Sequence, residues 1–183
     1  GVQTCALPIW LNVLGYLDLS PFGEKYQDSA NAGNLDLIAA LEWIRDNIEG
    51  FGGDPENVTL FGQSGGGVKV WSLLQMPEAD GLFHKGIIES GVVDPDLLGD
   101  IEDGNGREIV KAMLVELGLE EKDVDQLETL PYDQLAQAYE NAAPKVAQKG
   151  EYVGNHSHKN QSYFGDAIKH GFREETKKIP LLI

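Results

Sequence analysis

Gly62-Gln63-Ser64-Gly65-Gly66 sets one hydroxyl between two glycines, directly after the apolar and β-branched run Val58-Thr59-Leu60-Phe61. A serine hydroxyl is a weak nucleophile and attacks a carbonyl only when a base takes its proton. The spacing suits that chemistry if Ser64 stands on a sharp turn from a strand into a helix. In so tight a turn, Cβ atoms at positions 62 and 66 are expected to clash, hence glycine at both. The helix that follows starts beneath the serine, and the N–H of Gly65 then points where an oxyanion would form. Ser64 is the candidate nucleophile and Gly65, through its backbone N–H, the candidate oxyanion donor. With 22 glycines in 183 residues the pentapeptide alone is a weak sign, so the elements around it must carry the argument.

Those elements read as alternating strand and helix. Asn34 is placed to cap a helix at Leu35, with Asp36 favourable in its first turn. Leu37, Ile38, Leu41, Ile44 and Ile48 recur at helical spacing, and Trp43 is read as core packing. Gly50, Gly52 and Gly53 stop that helix, and Asp54-Pro55-Glu56-Asn57 turns the chain into the strand before Ser64. Trp71, Leu73 and Leu74 are expected core positions of the helix after it. Gly86 to Gly91 is a second short strand, parallel to the first if the helix between them is a crossover. This order predicts an α/β fold, with Ser64 and Ser90 both emerging at carboxyl ends of strands, where such sheets bind ligands. Ser90 is read as a turn residue.

The flanks carry a resemblance. Asn31-Ala32-Gly33-Asn34-Leu35-Asp36 is followed by Ala40-Leu41-Glu42-Trp43-Ile44, Asn47-Ile48 and the run from Phe51-Gly52-Gly53-Asp54-Pro55 to Gly62. Beyond Ser64 comes Gly81-Leu82-Phe83-His84-Lys85-Gly86-Ile87-Ile88-Glu89-Ser90-Gly91. In order and spacing these resemble the type B carboxylesterases, the carboxylesterase–lipase–cholinesterase branch of the α/β-hydrolases. The match is close over this stretch and looser to the C-terminus. The family usually reads G-E-S-A-G, whereas Gln63 and Gly65 stand here for the glutamate and the alanine. Gly65 keeps its N–H, so the oxyanion role survives the change.

The resemblance implies a partial α/β-hydrolase fold: a mostly parallel sheet flanked by helices, with a helical insertion after the second strand. The expected segments are a core over 10–100, the insertion over 101–150, and a loop over 151–183 leading into a core strand. It also implies ester hydrolysis through an acyl-enzyme on Ser64, with a small-molecule ester as substrate and no cofactor or metal. The triad acid and histidine are expected beyond Ile183, and the glycine-rich oxyanion segment before Trp10. None of the four histidines is a good substitute. His84 reads as structural, and His170 resembles a family position that is not catalytic. His156 or His158 would need a local acid, for which Asp166 is the near candidate. A fragment lacking these groups is expected to be inactive by itself. The alternative is a non-catalytic binding or adhesion module like the neuroligin-type members, which typically lack the serine.

The remaining sequence sets bounds. Gly1-Val2-Gln3-Thr4-Cys5-Ala6-Leu7-Pro8-Ile9 matches the translation of a common sequencing-adapter oligonucleotide, so residues 1–9 are read as an artefact. The only cysteine, Cys5, lies inside it, which removes disulfides and thiolate metal sites from consideration. Net charge is −16 with no basic run, which argues against nucleic acid or an anionic membrane as partner. No apolar run is long enough to span a bilayer. Cytoplasmic is the default placement, with secretion left open, and oligomeric state cannot be read. Leu11 to Tyr26 reads as an irregular loop. Ile109, Val110, Met113, Leu114 and Leu117 predict a helix ending at Gly118, and Leu127, Leu130, Leu135, Ala138 and Tyr139 two further short ones. His156-Ser157-His158 puts two imidazoles on one side of an extended chain, but with no third ligand nearby it reads as loop.

Overall fold

A computed structural model describes residues 13–92, 105–153 and 156–183. The segment 1–9 with Cys5 lies outside these, as do residues 101–104 at the start of the expected insertion. In chain order the elements are α1 (Val13–Tyr16), α2 (Ala32–Asn47), β1 (Thr59–Gln63), α3 (Gly65–Leu73), β2 (Lys85–Glu89), α4 (Arg107–Glu116), α5 (Tyr132–Ala147), α6 (Ala167–His170) and β3 (Leu181–Leu182), with short 3-10 turns between several of them. The described residues form two compact units. One holds residues 33–92 and 159–183; the other holds 13–32 and 105–158.

The first unit is the α/β layer. Its strands run in the order β1-β2-β3, both pairs parallel as a crossover through α3 requires. Leu60, Gly86 and Leu181 stand in register on the face toward α3, where a Cβ on Gly86 would come 3.3 Å from a Val70 methyl. Beneath them Ile38, Leu41, Val70, Leu73, Leu74 and Ile88 form the core. On the opposite face Phe61, Ile87 and Leu182 are in register, and Phe61 and Leu182 are 62% and 65% exposed. The closing strand expected to be core is therefore half so: Leu181 packs inward and Leu182 does not. Replacing Leu74, which has no exposed surface, by alanine is expected to cost about 2–5 kcal/mol by urea denaturation.

Two expectations for α2 need correction. Asn34 does not cap it. The 3-10 turn Ser29–Asn31 already leads into helical geometry at Ala32, whose N–H donates to the Ser29 carbonyl, so the helix starts earlier and Asn34 is buried within it. Trp43 is not core either, being 54% exposed. It lies two residues past the buried Leu41, about 200° around the helix, and its ring rests on Phe51 at 6.0 Å. Gly52, at φ +80°, ends the 3-10 turn that continues α2, in a conformation that favours glycine. Asp54-Pro55-Glu56-Asn57 closes as a turn, with the Asn57 N–H on the Asp54 carbonyl and the Glu56 N–H on the Asp54 carboxylate.

The segment 159–183 is fastened to the far end of α3. The Trp71 indole N–H donates to Asp166 Oδ2 at 3.0 Å, while Asp166 Oδ1 caps α6 by accepting from the Ile168 N–H at 2.7 Å. Gln75 Nε2 donates to the Gly171 carbonyl, and the Phe164 N–H donates to the Gln75 carbonyl. Phe172 meets Trp71 edge-on, with centroids 5.2 Å apart.

The second unit is helical. α4 buries Ile109, Val110, Met113 and Leu114, and the chain turns off it at Gly118 with φ +70°. Of the two short helices expected next, the first is a 3-10 stretch, Glu121–Glu128, closed by reciprocal capping between Glu120 and Asp123. The second is the 16-residue α5, longer than expected because its buried face continues through Ala142 to Val146. Residues 13–32, grouped with the strands in the sequence reading, pack in this unit instead. Val13, Leu17 and Tyr26 are buried among Ile109, Met113 and Leu127. Nor is Leu11 to Tyr26 an irregular loop, since from Val13 on it folds as α1 and two 3-10 turns. Asp18, 1% exposed, accepts from the N–H groups of Ser20 at 2.9 Å and Gly106 at 2.8 Å, which ties it to the start of α4.

Candidate active site

β1 ends at Gln63, α3 begins at Gly65, and Ser64 makes the whole connection. Its backbone sits at φ +52°, ψ −119°, where a side chain is rarely found. Two hydrogen bonds hold it there. The Ser64 N–H donates to the Glu89 carbonyl at 2.8 Å, extending the β1–β2 ladder by one residue, and the Ser64 carbonyl accepts from the Val68 N–H at 2.9 Å as the first bond of α3. One residue thus completes a strand and opens a helix. The Ser64 side chain is exposed at the carboxyl end of the sheet. The N–H groups of Gly65 and Gly66, in the first turn of α3, have no acceptor within a helix of this direction.

The glycines do different work from that expected. A Cβ on Gly62 would lie 2.3 Å from both the carbonyl carbon and oxygen of Gly66, so glycine is required there. A Cβ on Gly66 would meet nothing within 4 Å, which corrects the expectation that both flanks clash: the close approach is from Gly62 onto the Gly66 backbone, while the Gly66 Cβ direction faces open space. A Cβ on Gly65 would also be unobstructed, so the site has room for the alanine usual in the resembled family. The second demanding position is Gly67, where a Cβ would meet Gly91 Cα at 2.9 Å and the Gly62 carbonyl oxygen at 3.1 Å. Nothing in the sequence marks Gly67 and Gly91, because a glycine that packs backbone on backbone looks like any other glycine in a chain with 22 of them.

Strain at Ser64 makes a prediction. A residue held at such a φ costs on the order of 1–3 kcal/mol, which glycine does not incur. Ser64→Gly is therefore expected to raise the urea midpoint of the folded protein while removing the hydroxyl. A lowered midpoint would show that the turn is not strained.

No histidine joins Ser64 among the described residues. His84 accepts the Val58 N–H on Nδ1 at 3.2 Å and donates its own N–H to the Val58 carbonyl, so it is fixed at the amino ends of β1 and β2. Ser64 is at the other end of β1, about 20 Å away at ~3.3 Å per residue. The structural reading of His84 is the one its contacts support. His158 is held by a two-point pairing of its backbone with Asn31, whose amide donates to the His158 carbonyl and accepts from its N–H. Asp166, the acid considered for His156 or His158, accepts from the Trp71 indole N–H and the Ile168 N–H. His170 is the exposed last residue of α6. Among the described residues no group of three His, Cys, Asp or Glu side chains is gathered to hold a metal, and no helix is long and apolar enough to cross a membrane.

Lys69, on α3 five residues after Ser64, is pushed down to about 8 by burial. Its ordinary value is 10.5, so above pH 8 the unfolded chain keeps a proton that the folded one has released. Stability then rises with pH. Tyr26, Tyr139 and Tyr152, shifted upward chiefly by burial, oppose this from about pH 9, where unfolded tyrosine begins to ionise. The urea midpoint is expected to climb from pH 7.5 to pH 9 and to stay flat over that range in Lys69→Met.

The model of the carboxylesterase family matches residues 11–183. The para-nitrobenzyl esterase of Bacillus subtilis is 42% identical over 139 residues, which is 76% of this chain and 27% of that protein. Carboxylesterase 5A of Felis catus is 51% identical over 82 residues, 45% of this chain and 14% of that one. A solved esterase from Clostridium hathewayi, described as able to hydrolyse aliphatic aromatic polyesters, superposes with a TM-score of 0.88 at 54% identity, covering 93% of this chain and 34% of its own. The chain spans between 14% and 34% of the length of these relatives.

Proposed function

The chain belongs to the carboxylesterase family, with a partial α/β-hydrolase fold, and on that premise we propose that Ser64 is the nucleophile of a serine carboxylic ester hydrolase. The turn at Ser64 is a nucleophile elbow within Gly62-x-Ser64-x-Gly66. Ser64 Oγ attacks the ester carbonyl carbon as a base takes its proton, and the backbone N–H of Gly65 donates to the oxyanion that forms. The bond to the leaving alcohol breaks as the alcohol oxygen takes up that proton, leaving an acyl-Ser64 ester. Water then attacks the acyl carbon, and the proton it gives up ends on Ser64. No cofactor takes part. In this reading the histidine and the carboxylate that orients it lie beyond Ile183, as the family resemblance implies; His84, bonded to Val58 at the amino end of β1, is far from Ser64.

The observation that carries this reading is the backbone of Ser64, held at φ +52° with its side chain exposed. Such strain persists only where the surroundings impose it, and it lifts a nucleophile above the sheet. The test is labelling of the folded whole protein by a fluorophosphonate, with the adduct mapped by mass spectrometry. A phosphonylated Ser64 is expected, together with turnover of para-nitrobenzyl or polyester substrates like those of the named relatives. Folded protein that stays unlabelled would sink the esterase reading and favour a binding module.

A further inference from the structure

A second turn packs against the Ser64 turn, and nothing in the chemistry above uses it. β2 ends at Glu89 and is followed by Ser90 and Gly91. Ser64 and Ser90 are the positive-φ residues other than glycine among the described residues, and both lie at φ +52°. The two turns touch at two points. The Glu89 carbonyl accepts the Ser64 N–H at 2.8 Å. Gly91, which is buried, lies backbone to backbone on α3: a Cβ there would stand 2.4 Å from both Cα and the carbonyl carbon of Gly67 and 2.7 Å from the Val68 nitrogen.

We propose that Glu89-Ser90-Gly91 is a brace that positions the nucleophile, with Gly91 as a positioning residue for the esterase step. The proposal rests on Ser64 being the nucleophile. The physical argument is one of contact and tolerance. The ladder bond from Glu89 fixes the nitrogen side of Ser64, and the Gly91–Gly67 contact fixes the first turn of the helix on its other side. The Gly65 N–H, which must aim at the oxyanion, lies between these two fixed points. The strained φ of Ser90 turns the chain sharply enough for Gly91 to reach Gly67 directly after the Glu89 carbonyl has accepted the Ser64 N–H. Reactive groups work within a few tenths of an ångström of the productive geometry, and a displacement near 1 Å costs on the order of 100-fold. A methyl at Gly91 must move one backbone against another by that order, because no side chain stands between them to yield.

The test uses the whole protein and four forms of it: unmodified, Gly91→Ala, Gly67→Ala and Gly86→Ala. Gly67→Ala presses the same contact from the helix side by less, at 2.9 Å, and keeps the test decisive where Gly91→Ala fails to fold. Gly86→Ala is the control for mere destabilisation, since its Cβ would press only side chains that can yield, Leu181 at 2.8 Å and Val70 at 3.3 Å, and no backbone of either turn. Each form is assayed well below its own unfolding midpoint, for the second-order rate of fluorophosphonate inactivation and for kcat and KM on one ester. Gly91→Ala and Gly67→Ala are expected to lower the inactivation rate and kcat by about tenfold or more with KM within twofold. Gly86→Ala is expected to lower the unfolding midpoint yet keep both rates within twofold. Folded Gly91→Ala or Gly67→Ala protein that is inactivated at the unmodified rate would overturn the brace and leave the nucleophile in place. Losses in all three variants that simply follow their stability would also overturn it. Unmodified folded protein that takes no label would instead remove the esterase reading on which the brace depends.

Discussion

Ser64→Ala in the whole protein is expected to cut kcat by about 10⁶-fold, with KM little changed and the fluorophosphonate label gone. The size follows from the role. Without the hydroxyl there is no acyl-enzyme, and what remains is the weak catalysis that oriented N–H donors and substrate binding supply without a nucleophile. The fold should not suffer. Ser64 holds its place through its own N–H and carbonyl, bonded to Glu89 and Val68, and the substitution keeps both. Alanine also keeps the strained φ, so the stability gain expected for Ser64→Gly is absent. The pair separates two properties of one residue: both variants lose turnover, and only the glycine gains stability. Residual turnover within tenfold of the unmodified protein would assign the chemistry to another group.

Gly62→Ala is expected to be among the most damaging single methyls in the α/β layer. The new Cβ falls 2.3 Å from the Gly66 carbonyl carbon and oxygen and 2.8 Å from the Gly67 nitrogen, all backbone, so relief requires α3 to move off β1. Overpacking of this kind costs about 1–3 kcal/mol even where side chains can adjust, and here they cannot, so a loss of about 3 kcal/mol or more in urea is expected. The labelling rate of whatever remains folded should fall by about 100-fold as the Ser64 turn opens. Gly66→Ala is the control. It alters the other glycine of the same pentapeptide, its Cβ meets nothing within 4 Å, and stability within about 0.5 kcal/mol of the unmodified protein is expected. Equal damage from both would mean that the two flanks are equivalent, contrary to their surroundings.

That contrast marks where reading the chain as text reaches its end. Gly62 and Gly66 are the same letter at symmetric places around Ser64, and only the direction of each Cβ tells them apart. Trp43 shows the same limit on a helix. Its apolar character and its neighbours Leu41 and Ile44 suggest core, but two residues at 100° each carry it away from the buried stripe, where it meets Phe51 and solvent. Asn34 is a strong capping residue by type, yet the preceding 3-10 turn had already begun the helix. His84 needed little more than its place before β2 to be read as structural, and the structure supplied the partner, the Val58 N–H.

The sequence by itself determined what depends on local order. These are the strand–turn–helix around Ser64, the parallel pairing of β1 with β2, the buried face of α3 and the family. Each follows from residue types at short spacing, where propensity, glycine placement and a crossover's handedness leave few alternatives. Only the tertiary structure decided what depends on approach between distant segments. It placed residues 13–32 with α4 and α5, fastened Asp166 to Trp71, and brought Gly91 onto Gly67. The physical reason is that contacts between segments depend on the direction of each side chain and the closeness of each backbone. Packing decides both at once for the whole layer, whatever the letters on either side.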